Sequence, residues 1–525
     1  MIKGSNPIFR LDMPDPDVIR VGDTFYMIST SMHFFPGAEI LRSYDLVNWE
    51  HACFVCDRLD STPAQCLEGE KHIYGKGMWA GSLRFHEGIF YVVFVCNDTH
   101  KTYLYRSSSI EGPWTKSNIE GFYHDCSLLF DEGRAYLVYG NTEIYLTELN
   151  EELSGPKEGG LHRRIVSDIG NPRLGYEGSH LYKINGRYYL FLIHSKRTEW
   201  KRTEGCFVSD SLEGEFAGGE IFEDDLGFGN SGIAQGGIVE GPEGSWNAML
   251  FQDRGAIGRI PVLVPVTWKD DENGRPVPVF GSCGKAPSEF ELESFRPDHE
   301  YAPLIGSDDF GYDPEKMYEA DPVHYGCFGF KSFWQFNHEP DLKLICTDPE
   351  NGRLIVKTDR TVGNVFHAVN ILTQKMSFPE CEAEVTIDGS SLNDGDFAGL
   401  AAFQGDYALV GIRRENGKLF ASMCTYTNPS EDVWKLGEEA AVCEEKTEIK
   451  EPVLKVSVRA HFGSSPSDPD RAQCYVYING EKKKTGSDHK LRFRLDHFTG
   501  CRFGLFMMSE KTEGGSAAFS DFIYK

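Results

Sequence analysis

The sequence predicts an all-β protein, a five-bladed β-propeller followed by a β-sandwich. Three observations carry this reading. A hairpin pattern recurs five times in the first half of the chain. Strand-length segments alternate with turns through the last third. The composition, with 55 glycines and 13% aromatic residues, suits turn-rich β-structure, and amphipathic helical periodicity is hard to find.

The five repeats open at Asp15-Pro16-Asp17-Val18, Ala80-Gly81-Ser82-Leu83, Asp125-Cys126-Ser127-Leu128, Glu177-Gly178-Ser179-His180 and Gln235-Gly236-Gly237-Ile238. Each has a small or polar head, a short apolar strand, a Gly-centred turn and an aromatic return strand. A hairpin repeated at intervals of several tens of residues marks a propeller. Asp45-Leu46-Val47-Asn48-Trp49 and Glu111-Gly112-Pro113-Trp114 read as outer-strand turns whose tryptophans pack between blades. Asp23, Asp131 and Asn185 fall at the hairpin turns and are expected to be solvated.

After Trp268 the chain turns polar, Lys269-Asp270-Asp271-Glu272-Asn273-Gly274, then proline-rich, and reads as loop. Strand-like segments resume with Leu354–Lys357, Ala383–Ile387, Ala398–Phe403, Tyr407–Ile412, Leu454–Val458 and Cys474–Ile478, the pattern of a sandwich. Ala518–Tyr524 reads as a closing strand within it. The expected domains are a propeller over 1–295, a linker over 296–325 and a sandwich over 326–525.

A chain of 525 residues exceeds one ordinary core. Its net charge of −27 argues against nucleic acid or an anionic membrane as partner and suits a neutral substrate. No apolar run reaches the roughly 18 residues of a membrane span. The N-terminus has no apolar signal core, so a cytoplasmic location is expected. The 14 cysteines lie mostly in strand-like segments, as buried reduced thiols do. Cys53-Phe54-Val55-Cys56 has metal or redox spacing without a partner pair, and is read as strand residues.

Asp15, Asp125 and Glu177 head three of the five repeats. The heads of innermost propeller strands converge on the axis, so these acids should meet in one pocket. Three converging carboxylates suggest acid–base work on a sugar. Singly, Asp15, between prolines, reads as a turn former, whereas a carboxylate at Asp125, before an apolar strand, costs free energy unless it faces a polar cavity. Their common repeat position weakens the plainer readings together.

These residues resemble glycoside hydrolase family 43, the β-xylosidase and α-L-arabinofuranosidase group. The resemblance runs through Asn6-Pro7-Ile8, Pro14–Arg20, Phe35-Pro36-Gly37, Ser43–Trp49, Trp79-Ala80, Asp125–Leu128, Glu177–Lys183, Gly258–Pro261 and Pro265–Trp268. In the second half, Trp334–His338, Leu372-Thr373-Gln374 and Gly395–Leu400 resemble the sandwich of its xylosidase-type members, a concanavalin-like jelly roll. The resemblance implies Asp15 as general base, Glu177 as general acid, and Asp125 as the acid that orients substrate and raises the pKa of Glu177 by like-charge repulsion. It implies an exo-acting, inverting glycosidase that releases terminal β-D-xylosyl or α-L-arabinofuranosyl units from short hemicellulose-derived oligosaccharides. Arg259 is expected beside the acids, either holding Asp125 ionised or binding a sugar hydroxyl, with an interblade salt bridge as the plainer alternative. Trp79, Phe34 and Phe35 are candidates for the apolar wall or equally for propeller core, and Phe503, in Phe498–Gly504, for the side chain by which the sandwich closes the pocket, with sandwich core as its plainer reading.

One departure concerns metal. Many family members carry His at the fifth-blade axial position, where the repeat places Gln235 here; an amide is a poorer ligand than imidazole. No cofactor is required and no metal ligand is assigned. A structural calcium is left open, through Asp394 and Asp396, for which an acidic surface loop is the preferred reading. The expected partner is an oligosaccharide, with a homo-oligomer compatible. Two rivals remain: a non-catalytic, lectin-like propeller, and a retaining fructoside-cleaving relative, whose Asn-Asp-Pro-Asn motif is absent from this sequence.

Overall fold

The computed structural model describes residues 1–525 except Asn273, which lies in the polar run after Trp268, and Pro466. Five four-stranded antiparallel sheets form the blades of the propeller. Their innermost strands are Asp17–Val21, Met78–His86, Ser127–Asp131, Glu177–Ile184 and Ile233–Glu240. Each touches the next around the ring, and the fifth touches the first. Two-residue turns close the second to fourth hairpins. In these, Glu87-Gly88, Glu132-Gly133 and Asn185-Gly186 all have positive φ, the turn whose twist matches that of the flanking strands.

The turn at Glu132-Gly133 moves Asp131 into the strand. It is not solvated: its carboxylate accepts from Lys183 Nζ at 2.6 Å and Tyr188 Oη at 2.5 Å in the next blade. Trp49 is buried against Phe9, 5.9 Å between ring centroids. Cys53 and Cys56 lie buried in the strand Glu50–Cys56, where burial pushes both thiols up.

The passage expected as loop after Trp268 still belongs partly to the propeller. Pro276–Phe280 is the outer strand of blade five, and Glu289–Leu292 pairs with Ile2–Ser5 at the N-terminus. Prolines are tolerated there because an outer edge strand leaves N–H positions unpaired. One short helix, Pro314–Ala320, lies in the connection, capped by the Asp313 side chain.

The second half is a sandwich of an eight-stranded and a seven-stranded sheet. Ser516–Tyr524 is paired on both sides, against Arg353–Lys357 and Glu380–Asp388. The eight-stranded sheet does not end within its own domain. Its edge strand is Phe34–Phe35 of the propeller, paired with Gln335–Asn337. Glu39 of blade one accepts from Lys375 of the sandwich at 2.5 Å, both buried. The two units are thus joined by main-chain pairing and a buried ion pair as well as by the connecting chain.

Candidate active site

The pocket is built by irregularities at the strand heads. Asp15, Asp125 and Gln235 have left-handed φ of 53°, 47° and 59°, and register shifts interrupt the inner strands of blades two, four and five at Trp79/Ser82, Glu177/His180 and Ala234/Gly236. Such bulges re-aim side chains beside active sites, and non-glycine residues with positive φ persist only where the surroundings hold them. Gly178 is needed twice over. Its φ is +64°, and a Cβ there would stand 2.7 Å from Gln235 Cγ.

The Pro-Asp-Pro-Asp motif separates into two jobs. Asp17 is fully buried and accepts from Leu83 N at 2.8 Å, Arg84 Nη1 at 2.6 Å and His180 Nδ1 at 3.2 Å, tying blade one to blades two and four. Burial opposes its charge, but Arg84 and His180 hold its carboxyl below the ordinary range. Asp15 faces the site. Thr30 Oγ1 donates to its Oδ2 at 2.7 Å, and Arg259 Nη1 donates to Oδ1 at 2.8 Å and Oδ2 at 3.1 Å.

Arg259 therefore pairs with Asp15 rather than with Asp125. Its guanidinium comes from blade five, only 3% exposed, and sits 4.4 Å from the Phe498 ring. The salt bridge thus spans blades and lies in the site at once. Asp12, which the sequence did not single out, completes this corner. Its carboxylate accepts from the backbone N–H of Arg259 and of Gly500, each at 2.7 Å, and so docks the sandwich loop onto the propeller.

That loop reaches the pocket through Phe498, not Phe503. Phe503 lies in the strand Arg502–Ser509, is 0% exposed, and packs 5.4 Å from Tyr524 in the sandwich core. Phe498 is partly exposed at a left-handed φ of 56°, 5.5 Å from Trp79 and 5.7 Å from Trp434. Phe34 and Phe35, each 1% exposed, offer a sugar no ring face. Phe34 lies under the Arg502 guanidinium, and Phe35 in the core between blades one and two. Trp79 keeps a partly exposed ring, 6.0 Å from His124, and its indole N–H has no acceptor among the described residues.

His124 stands between two acids. Its Nε2 is 3.4 Å from Glu177 Oε2 and 3.7 Å from Asp125 Oδ1, while Asn141 Nδ2 donates to Glu177 Oε2 at 2.5 Å. Neither His124 nor Asn141 was singled out in the sequence. The Asp125 carboxyl is pushed upward. Burial, then the charges of Glu177 and Asp15, outweigh His124 and raise its carboxyl to about 7. Burial opposes the His124 imidazolium, but Asp125 and Glu177 together lift it to about 9. One nitrogen of His124 and one oxygen each of Asp125 and Glu177 lie within 4.8 Å of one another.

Among the described residues, Asp394 and Asp396 join no group of three or more His, Cys, Asp or Glu at ligand spacing. Gln235 is buried, its backbone N–H donates to Glu204 at 2.8 Å, and its side chain covers Gly178. Asp396 is not on the surface: it is fully buried and accepts from Asn393 N at 2.6 Å and Ser509 Oγ at 2.5 Å. Asp394 accepts from Gly417 N at 2.8 Å.

Comparison with known proteins agrees with this architecture. Residues 4–273 match the model of glycosyl hydrolases family 43, and residues 330–525 match the β-xylosidase C-terminal concanavalin A-like domain. A β-xylosidase of Formosa agariphila is 25% identical over 99% of this chain and 90% of its own. A bifunctional GH43-CE protein of Bacteroides eggerthii superposes with a TM-score of 0.86 at 36% identity, over 99% of this chain but only 63% of its own. A GH43 glycoside hydrolase engineered to display both endo-xylanase and exo-arabinofuranosidase activity superposes at 0.85 with 26% identity over the full length of both. With both halves matched and the fold shared end to end, the chain belongs to glycosyl hydrolases family 43 and is a glycoside hydrolase.

Proposed function

We propose that the protein is an exo-acting, inverting glycosidase that removes terminal β-D-xylosyl or α-L-arabinofuranosyl units from short xylo- or arabinoxylo-oligosaccharides. The observation that carries this is that the acids meet on two fronts, near enough for the charge of Asp15 to act on Asp125 and His124. Asp15 is held by Arg259 and Thr30 on one, and Glu177 stands with His124, Asn141 and Asp125 on the other. A base fixed by a guanidinium has the charge to take a proton from water. An acid on the other front can protonate the leaving oxygen, as inversion requires. Asp125 contributes negative charge beside Glu177 and a polar contact for the sugar.

The sandwich loop makes the site a pocket rather than a groove. With Phe498 against Trp79 and Arg259, one side is closed, which favours a chain end over the interior of a polymer. A cytoplasmic site of action on imported oligomers fits the free thiols. No cofactor enters this chemistry. A panel of nitrophenyl β-xyloside, α-arabinofuranoside and hexosides tests the reading, with Asp15, Asp125 and Glu177 mutated in turn. Pentoside turnover that each mutation depresses supports it, and binding without turnover would instead favour a lectin-like propeller.

A further inference from the structure

Glu177 and Asp125 are two carboxyls around one imidazole nitrogen. Asp125 is 6% exposed, and the side chains of Glu177 and His124 are 18% and 22% exposed. Two carboxylates this enclosed repel one another unless a proton or a cation lies between them. The group placed to supply it is His124, with Nε2 within 3.7 Å of both. Among the described residues no other cation pairs with Asp125 or Glu177. Arg259 is committed to Asp15, and the remaining groups packed here are neutral: Asn141 on Glu177, and Trp79 with Phe498 beyond it. Asp15 adds further negative potential.

We propose that His124 is the proton partner of Glu177: its imidazolium stores the proton that Glu177 delivers to the leaving group. The inference rests on the reading of Glu177 as the general acid. In the resting site the proton sits on His124 Nε2 rather than on Glu177. When a sugar fills the pocket and displaces water, charge separation becomes less favourable. The Nε2–H bond breaks and an O–H bond forms at Glu177 Oε2, leaving neutral imidazole and a neutral acid. As the glycosidic C–O bond breaks, its electron pair stays on the leaving oxygen, which takes the proton from Glu177. Water attacks the anomeric carbon and gives its proton to Asp15. After product leaves, solvent returns a proton to His124 through its exposed edge and removes one from Asp15.

The active ionisation state is then one proton shared by His124, Asp125 and Glu177, and it titrates as a unit. The imidazole keeps that proton bound to higher pH than two carboxyls alone would. The test is the pH profile of kcat/KM for His124→Asn and His124→Gln, folding being checked by circular dichroism and thermal unfolding. Two substrates are compared: xylobiose, whose leaving group needs a proton, and dinitrophenyl β-xyloside, whose leaving group does not. On xylobiose the alkaline limb should move down by about one pH unit or more in either variant that folds. On the dinitrophenyl substrate it should stay in place. An alkaline limb on xylobiose within about 0.3 unit of the parent in a folded variant overturns the proposal. Glu177→Gln on the same pair separates the two failures. Equal losses on both substrates would remove Glu177 as the acid, and the proton store with it. A selective loss on xylobiose with an unmoved His124 limb would leave the acid standing and reject His124 alone.

Discussion

Replacing Asp12 by alanine removes the acceptor on which propeller and sandwich loop meet. Its two oxygens hold the N–H groups of Arg259 and Gly500, each at 2.7 Å. Water has little room to replace them. A Cβ on Gly258 would lie 2.3 Å from Asp12 Oδ1, and one on Gly500 would lie 2.1 Å from Ile257 O. A hydrogen bond to a charged group contributes about 1.5–3 kcal/mol, so two give about 3–6 kcal/mol. Burial raises the Asp12 carboxyl above its ordinary range, so deleting it also relieves desolvation. The net loss expected is about 2–4 kcal/mol in denaturant unfolding. Asp12→Asn keeps one acceptor oxygen and should lose about half as much. Phe498 lies two residues from Gly500, so loosening the loop should raise KM several-fold and leave kcat less affected. An Asp12→Ala protein within about 0.5 kcal/mol of the parent and with unchanged KM would refute the docking role.

Asp15→Ala should lower kcat on the order of a thousandfold in a folded protein, because the base acts only in the transition state; parental turnover would remove it from the mechanism. Phe503→Ala should destabilise by about 3–5 kcal/mol as a truncated core aromatic, whereas Phe498→Ala should mainly raise KM; calorimetry with steady-state kinetics distinguishes them. His124 has a native pKa raised to about 9, so its stabilising contribution is complete below about pH 6.5 and is lost as pH rises through 9. The stability gap between parent and His124→Asn should therefore shrink by up to about 3 kcal/mol between pH 6 and pH 10, read from urea unfolding at each pH; a constant gap would show that the native fold does not raise the imidazole's pKa.

The propeller was legible because its signals are local and repeated. A Gly-centred turn between an apolar and an aromatic strand identifies a hairpin wherever it falls, and five of them fix the ring. The acids were legible for the same reason, since position within a repeat becomes position on the axis. What stayed hidden depends on contacts between distant segments. Arg259 chose Asp15 over Asp125 because blade five closes against blade one, which no local pattern states. Phe498 and Phe503 differ by five positions, and only the point where Arg502–Ser509 begins decides which is loop and which is core. Phe34 and Phe35 read as pocket wall or propeller core, yet they serve as the edge strand of the other domain's sheet. His124 carried one signal, a titratable side chain directly before an axial acid, but nothing in sequence placed Glu177 against it.

The central claim is an acid and a base on opposite sides of a pocket that receives a chain end. Proton NMR during the first minutes of pentoside hydrolysis, before mutarotation, tests it most directly. The account predicts α-xylose as the first sugar released from a β-xyloside, or β-arabinofuranose from an α-arabinofuranoside, with monosaccharide as the sole early product from xylo-oligomers. A first product of retained configuration would contradict it, and so would mixed oligomers from internal cleavage.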